Sequence, residues 1–200
     1  MPLLILASAS PRRLQLLNQI GIEVEVIPCD LPEIRAAGES PIAYSQRVSR
    51  EKAEAGWRAA GCPRDRIALG ADTEVVLGDR VFGKPADAAD ARAMLADLAG
   101  REHQVLSSVA LRGADIDQVV TSTTTVRFAA LTPDQIARYV DRGESLGRAG
   151  AYAIQGLAGC FAERIDGSYS GVMGLPLCET AELLRRIGDR LYGPKERRHG

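Results

Sequence analysis

Apolar and polar positions change period several times along this chain, and each change marks an element. The unbroken apolar run Leu3-Leu4-Ile5-Leu6 reads as a short buried strand. After it, Leu14, Leu16, Leu17 and Ile20 give one apolar side to a helix starting at Pro11, where the missing N–H costs nothing, and Gly21 suits its end. Glu23 and Glu25 alternate against Val24 and Val26, so a strand is expected over Ile22 to Ile27. Ser40-Pro41 is an N-cap and first-turn signal for a helix reaching about Arg58.

Arg66 to Ala71 reads as a buried strand leading into Thr73 to Leu77, and Gly78-Asp79 offers a tight turn back into Val81-Phe82. A helix over Ala88 to Leu98 ends at Gly100. Two long strands, His103 to Leu111 and Asp117 to Ala129, are rich in β-branched residues and form a hairpin. Thr132-Pro133-Asp134-Gln135 is a capping box, and its helix ends near Gly143. The Gly-rich stretch Gly147 to Gly174 holds one strand, about Cys160 to Ile165, and Leu177 to Ile187 forms the last helix. Interleaved strands and helices with two adjacent long strands predict an α/β fold whose sheet is mixed and partly antiparallel.

Composition narrows this picture. Two hundred residues, 46% hydrophobic and 26% charged, suit one well-buried domain, expected over 1–192, followed by a charged, frayed tail at 193–200. A net charge of −1 lacks the basic field of a nucleic-acid binder, so nucleic acid is not expected as a partner. Cys29, Cys62, Cys160 and Cys178 are scattered without a Cys-x-x-Cys pair and fit buried free thiols in a reducing compartment. No apolar run is long enough for a signal core or a membrane span, which points to the cytoplasm and away from a membrane.

Several signatures are excluded. Gly83-Lys84 runs into Pro85 without a preceding Gly-rich loop, so it is no Walker phosphate loop. Gly167-Ser168-Tyr169-Ser170-Gly171 has its serines misplaced for a nucleophile elbow, and the two histidines make a Ser-His-Asp hydrolase or a histidine metal site improbable.

Four features could carry chemistry. Ser8-Ala9-Ser10-Pro11-Arg12-Arg13 joins a strand to a helix start, where backbone N–H groups and hydroxyls attract an anion. Its arginines oppose the helix dipole unless an anion is present, although solvated arginines at an ordinary helix start fit this segment equally well. In Gly70-Ala71-Asp72-Thr73 a buried strand delivers a carboxylate able to hold a divalent metal or take a proton from water, with Glu33 a possible partner; a turn hydrogen bond and a solvated glutamate are the plain alternative. Lys52 and Lys84 could neutralise phosphate charge, although Lys52 could equally pair with Glu51 or Glu54. Ala149-Gly150-Ala151-Tyr152-Ala153-Ile154-Gln155-Gly156 permits close backbone approach and carries a base-reading amide at Gln155, or is simply a tightly packed loop.

Together these segments, with Gly83-Lys84-Pro85 and Gly174-Leu175-Pro176-Leu177, resemble the Maf family of nucleoside triphosphate pyrophosphatases in order and over nearly the whole chain. The resemblance implies a sheet flanked by helices, two lobes around a cleft, a homodimer, and a divalent metal, Mg2+ or Mn2+. It implies hydrolysis of a nucleoside triphosphate to the monophosphate and pyrophosphate. By position, Asp72 matches the proton acceptor and, with Glu33, the metal ligands. Arg12, Thr73 and Gln155 match the substrate-specificity positions, and Ser8, Arg13, Lys52 and Lys84 the phosphate-binding ones. The Ala-Gly-Ala-Tyr-x-Ile-Gln-Gly form resembles the branch acting on dTTP and UTP; a sister branch acts on 7-methyl-GTP, and a nucleotide-binding regulator of cell division is the rival of another class. Two positions depart from the pattern: Arg148 stands where lysine is common, and Gly171 where asparagine is frequent.

Overall fold

Gly70 shows how tightly the centre of this protein is assembled. In the computed structural model, which describes residues 4–29 and 31–188, a Cβ on Gly70 would lie 2.3 Å from both the Ala53 nitrogen and the Ser49 oxygen. A helix backbone therefore rests directly on a strand, and no larger residue fits between them. That strand is β3 (Ile67–Leu77), and the helix is α2 (Pro41–Ala59), capped by Ser40.

Ahead of them come β1 (Leu4–Leu6), α1 (Pro11–Gln19) and β2 (Val24–Val26). After them come β4 (Arg80–Phe82), α3 (Ala88–Leu98), β5 (Glu102–Gly113), β6 (Ile116–Phe128), α4 (Pro133–Asp141), β7 (Ala162–Asp166), α5 (Tyr169–Met173) and α6 (Leu177–Arg186). The seven strands form one sheet in the order β2-β1-β3-β5-β6-β7, with β4 also on β3. β1 pairs in parallel with β2 and β3, and all other pairings are antiparallel, so the sheet is mixed as the pattern predicts.

The elements follow the sequence pattern with local differences. The two expected segments around Asp72 are one continuous strand, β3. The strand expected over Ile22 to Ile27 shortens to β2, because Ile22 closes the end of α1 through its N–H to Leu17 O and is buried there. A 3₁₀ turn over Leu157–Cys160 delays the start of β7. Helix α5 was not anticipated; the Ser168 hydroxyl caps it by accepting from the Gly171 N–H at 3.0 Å. The cysteines are free, but Cys62, Cys160 and Cys178 are exposed and Cys29 is only half-buried, which corrects the expectation of buried thiols. Their loop and element-end positions supply too few neighbours to cover them. The tail at 193–200 lies outside the described residues. Among the described residues, no helix is long and apolar enough to cross a membrane.

The sheet face opposite α2 carries two apolar cores. One gathers Leu4, Leu17, Leu69, Val109 and Leu184, and the other Val75, Phe82, Leu95, Val105 and Phe128. Full burial of each such side chain contributes about 1.5–3 kcal/mol. A polar band separates them. Thr73 lies opposite Ser107, which lies opposite Ser122, and the Thr73 and Ser107 hydroxyls are 3.0 Å apart.

The outer edge of β3 is interrupted at the same level. β1 pairs with residues 67–69 and β4 with residues 75–77, while β5 occupies the other edge throughout. The chains leaving β1 and β4 therefore run toward each other across an unpaired stretch, bringing the loops of Ser8 and Lys84 to Asp72.

Candidate active site

Asp72 and Lys52 form the fixed centre of this opening. Lys52 lies on the inward side of α2 with Ser45, Ser49 and Gly56, positions spaced to share one helix face. Glu51 pairs with Arg47, and Glu54 with Arg58 and Arg112. Lys52 instead turns inward, its Nζ 2.9 Å from Asp72 Oδ1 and 2.9 Å from Glu33 Oε1. Lys84 reaches Glu33 Oε2 at 3.6 Å from the loop after β4. Burial alone would raise the Glu33 carboxyl, but Lys52, Lys84 and Arg13 together hold it below its ordinary value.

The segment after β1 supplies the opposite wall. Ser8 Oγ accepts from the Ser10 N–H at 3.1 Å and from Arg13 Nη1 at 3.2 Å, while Arg13 Nε donates to Gly174 O at 2.9 Å. Ser10 makes no side-chain cap on α1, so the Arg12 and Arg13 backbone N–H groups of the first turn have no side-chain acceptor. Desolvation lowers the Arg13 pKa, and the charges of Asp72, Glu33 and Glu74 oppose that shift.

Glu74 is the residue that sequence reasoning missed. Period-two alternation along a strand puts residues 72 and 74 on one face, and a lone acid before Val75-Val76 was the available signal. Glu33, Asp72 and Glu74 each offer a carboxylate oxygen, all within 4.8 Å of one another. Burial, then the nearby charges of Asp72 and Glu33, push Glu74 up to about 9. Asp72 Oδ2 is buried without a hydrogen-bond partner. Buried oxygens with an unfilled bonding position suit a hard divalent cation, so this trio could hold one.

A second set of side chains lines the same cleft, with Thr73 and Val75 on the face of β3 opposite to Asp72 and Glu74. Arg12 and Arg148 border the cleft beside Val75, Val105, Tyr152, Val172 and Met173. Burial lowers the Arg12 pKa to about 10, the charge of Arg148 adds to the shift, and Tyr139 and Glu144 oppose it. Gln155 is exposed and does not line the cleft; with its amide carbonyl toward Arg12, it accepts from Arg12 Nε at 2.6 Å. Gly171, at the other position departing from the family pattern, lies inside α5, where a Cβ would meet Ser168 Cβ at 3.1 Å. Of the nine residues singled out from the sequence, the structure brings eight, all but Gln155, around one cleft of about 540 Å³.

A mixed-sheet α/β protein with a charged cleft at a broken strand edge is the class that this fold and site define. The family model described as Maf-like protein matches residues 3–187, and the chain belongs to that family. It is 50% identical over 189 residues to a protein of Chromobacterium violaceum named dTTP/UTP pyrophosphatase, covering 93% of this chain and 95% of that one. It is 47% identical to a Hahella chejuensis protein of the same name, with 94% of each chain covered. It is also 52% identical to a Xylella fastidiosa protein named nucleoside triphosphate pyrophosphatase, covering 91% of this chain and 97% of that one.

Proposed function

We propose that this protein is a nucleoside triphosphate pyrophosphatase that hydrolyses dTTP and UTP to the monophosphate and pyrophosphate. The observation that carries the reading is the juxtaposition, in one cleft, of the Lys52–Asp72–Glu33–Lys84 charge network with Arg13 and Ser8. The relatives' names support the same reaction and the same bases.

In this mechanism a water oxygen attacks the α-phosphorus, its proton passes to Asp72, and the α–β bridging oxygen leaves with pyrophosphate. Lys52 fixes Asp72 through Oδ1 and leaves Oδ2 free to face the reacting water. Arg13, Lys52 and Lys84 offer positive charge to the phosphate oxygens, and Ser8 adds a hydroxyl where Arg13 is anchored. Glu33 and Asp72, extended by Glu74, would hold Mg2+ or Mn2+. When bound, the metal supplies Lewis-acid polarisation of phosphate and water. Arg12 and Thr73 border the region assigned to the base, and Gln155 acts there by orienting Arg12. The chain works as one two-lobed unit over 1–192, as a homodimer in the reducing cytoplasm, where its free cysteines are stable.

The test is a screen of canonical and modified nucleoside triphosphates with Mg2+ or Mn2+, with products separated by chromatography. dTTP and UTP should exceed ATP, GTP and 7-methyl-GTP by at least about ten-fold in kcat/KM, with pyrophosphate as co-product. Equal rates on purines and pyrimidines would remove the base assignment, and release of inorganic phosphate alone would remove the reaction.

A further inference from the structure

We infer that Arg148 is a further specificity-determining residue, which joins Arg12 in a wall of hydrogen-bond donors selecting bases that carry two carbonyl oxygens. The inference rests on the proposed pyrimidine triphosphate reaction and assigns part of its selectivity to a residue outside the set singled out for it.

The cleft is chemically divided. Asp72 and Glu74, among the charges that suit phosphate and metal, share one face of β3. Thr73 and Val75 share the opposite face, and with Val75 in the cleft lining, Val105, Tyr152, Val172 and Met173 give the apolar surround that a planar base needs. Arg12 and Arg148 are the charged residues bordering that apolar end. Neither makes an ion pair among the described residues, whereas Arg47, Arg92 and Arg112 each hold a carboxylate. Arg148 Nε is buried with no partner, and the acceptor for Arg12 is the Gln155 carbonyl. Burial is the main cause that lowers the Arg12 pKa, and the like charge of Arg148 adds to it. A ligand rich in acceptors relieves both the repulsion and the unmade hydrogen bond.

The backbone fixes where Arg148 stands. It directly precedes a 3₁₀ turn, Ala149–Ala151, in which Gly150 has φ +66° and Ala151 φ +60°. Gly150 donates its N–H to Gly83 O at 3.1 Å, and a Cβ there would lie 2.8 Å from the nearest Val75 carbon. The loop is thereby locked onto β3 and onto the chain that carries Lys84. A side chain leaving so constrained a turn starts from a set position.

The position of a donor against the C4 substituent then decides which pyrimidine fits. A guanidinium has five N–H donors and no acceptor, and the Gln155 carbonyl, engaged by Arg12, is not available to the ligand. Uracil and thymine present oxygens at C2 and C4. Cytosine presents an amino group at C4, which would set donor against donor and leave both unpaired. Sites built on hydrogen bonds reject an analogue by that unpaired cost.

The test compares kcat/KM for UTP and CTP in the wild type, Arg148→Met and Arg148→Lys, with a thermal melt of each to establish folding. Arg148→Met should lose at least about ten-fold on UTP and less than about three-fold on CTP, narrowing the preference, with Arg148→Lys between. An equal loss on both nucleotides would overturn the inference, because Arg148 would then serve the phosphates or the loop. No loss on either would overturn it too. Should Arg148→Met fail to fold, Arg148→Lys must still narrow the UTP-to-CTP ratio, and an unchanged ratio overturns the inference. A wild type that releases no pyrophosphate from any nucleotide would defeat the proposed function itself, an outcome distinct from an active enzyme with an unmoved ratio.

Discussion

The two ends of the cleft handle charge in opposite ways. Around Asp72, opposite charges are already joined: Lys52 bridges Asp72 and Glu33, and Lys84 closes on Glu33. Around Arg12, the like charge of Arg148 acts with only Glu144 to oppose it, and neither arginine is ion-paired among the described residues. The first arrangement holds its geometry before any ligand arrives, as a reacting centre requires. The second leaves its bonding capacity for the ligand, as a recognition surface requires. One cleft can thus separate reaction from choice, with Thr73 next to Asp72 in the chain but on the other face of β3, held by Ser107 in the polar band between the two cores.

The sharpest way to break this division is Asp72→Asn. The amide keeps the shape and can still face Lys52, but it takes no proton from water. kcat should fall by about 10³-fold, within the range of lost general-base catalysis, while KM for UTP changes little. Single-turnover pyrophosphate release checks it. A variant with near-normal turnover would show that Asp72 is not the base.

Lys52→Met probes stability at the same end. It leaves Asp72 and Glu33 as like charges around an apolar stem, with Asp72 only 2% exposed. Removing one partner of a buried pair typically costs about 3–5 kcal/mol, and urea denaturation of the metal-free protein should show a loss of that order. The double variant Lys52→Met/Asp72→Asn should recover part of it, because the uncompensated carboxylate is gone. Strict additivity would mean that the two side chains are not coupled, contrary to their 2.9 Å contact.

Legibility in the sequence also differs between the ends. Asp72, Lys52 and Lys84 stood out because charged residues in apolar or constrained settings need a reason, and the structure gathers them. Elements set by local signals, such as the Thr132 capping box and the Gly78 turn, appear where those signals lie. Glu74 escaped because its place beside Asp72 gains meaning only when Glu33 is brought to both from a distant loop. Gln155 read as a group facing the base, yet its loop carries it outside to Arg12, a tertiary contact that no local pattern encodes. Helix α5 escaped because Gly171 lowers helix propensity, while the Ser168 cap offsets part of that cost.

Opposite pH dependences should separate the two ends in the metal-free protein. Glu74 is raised from 4.5 to about 9 in the folded state, chiefly by burial. Between those values the unfolded chain gives up a proton that the folded chain keeps, so stability falls as pH rises. His103, in the apolar core beneath Tyr152, is lowered from 6.5 to about 4 by burial and holds the Tyr152 hydroxyl at 2.9 Å. There the unfolded chain takes up a proton that the folded chain refuses, so stability falls as pH drops from 6.5 to 4. From 4.5 to 6.5 the slopes oppose each other, and above 6.5 the Glu74 slope stands alone, at up to about 1.4 kcal/mol per pH unit. Urea midpoints measured in EDTA from pH 6.5 to 9 should decline for the wild type and stay nearly level for Glu74→Gln. A wild-type profile as level as that of Glu74→Gln would mean that Glu74 is ionised throughout. The acidic end would then carry a third fixed charge and lean more heavily on Lys52, Lys84 and a bound cation.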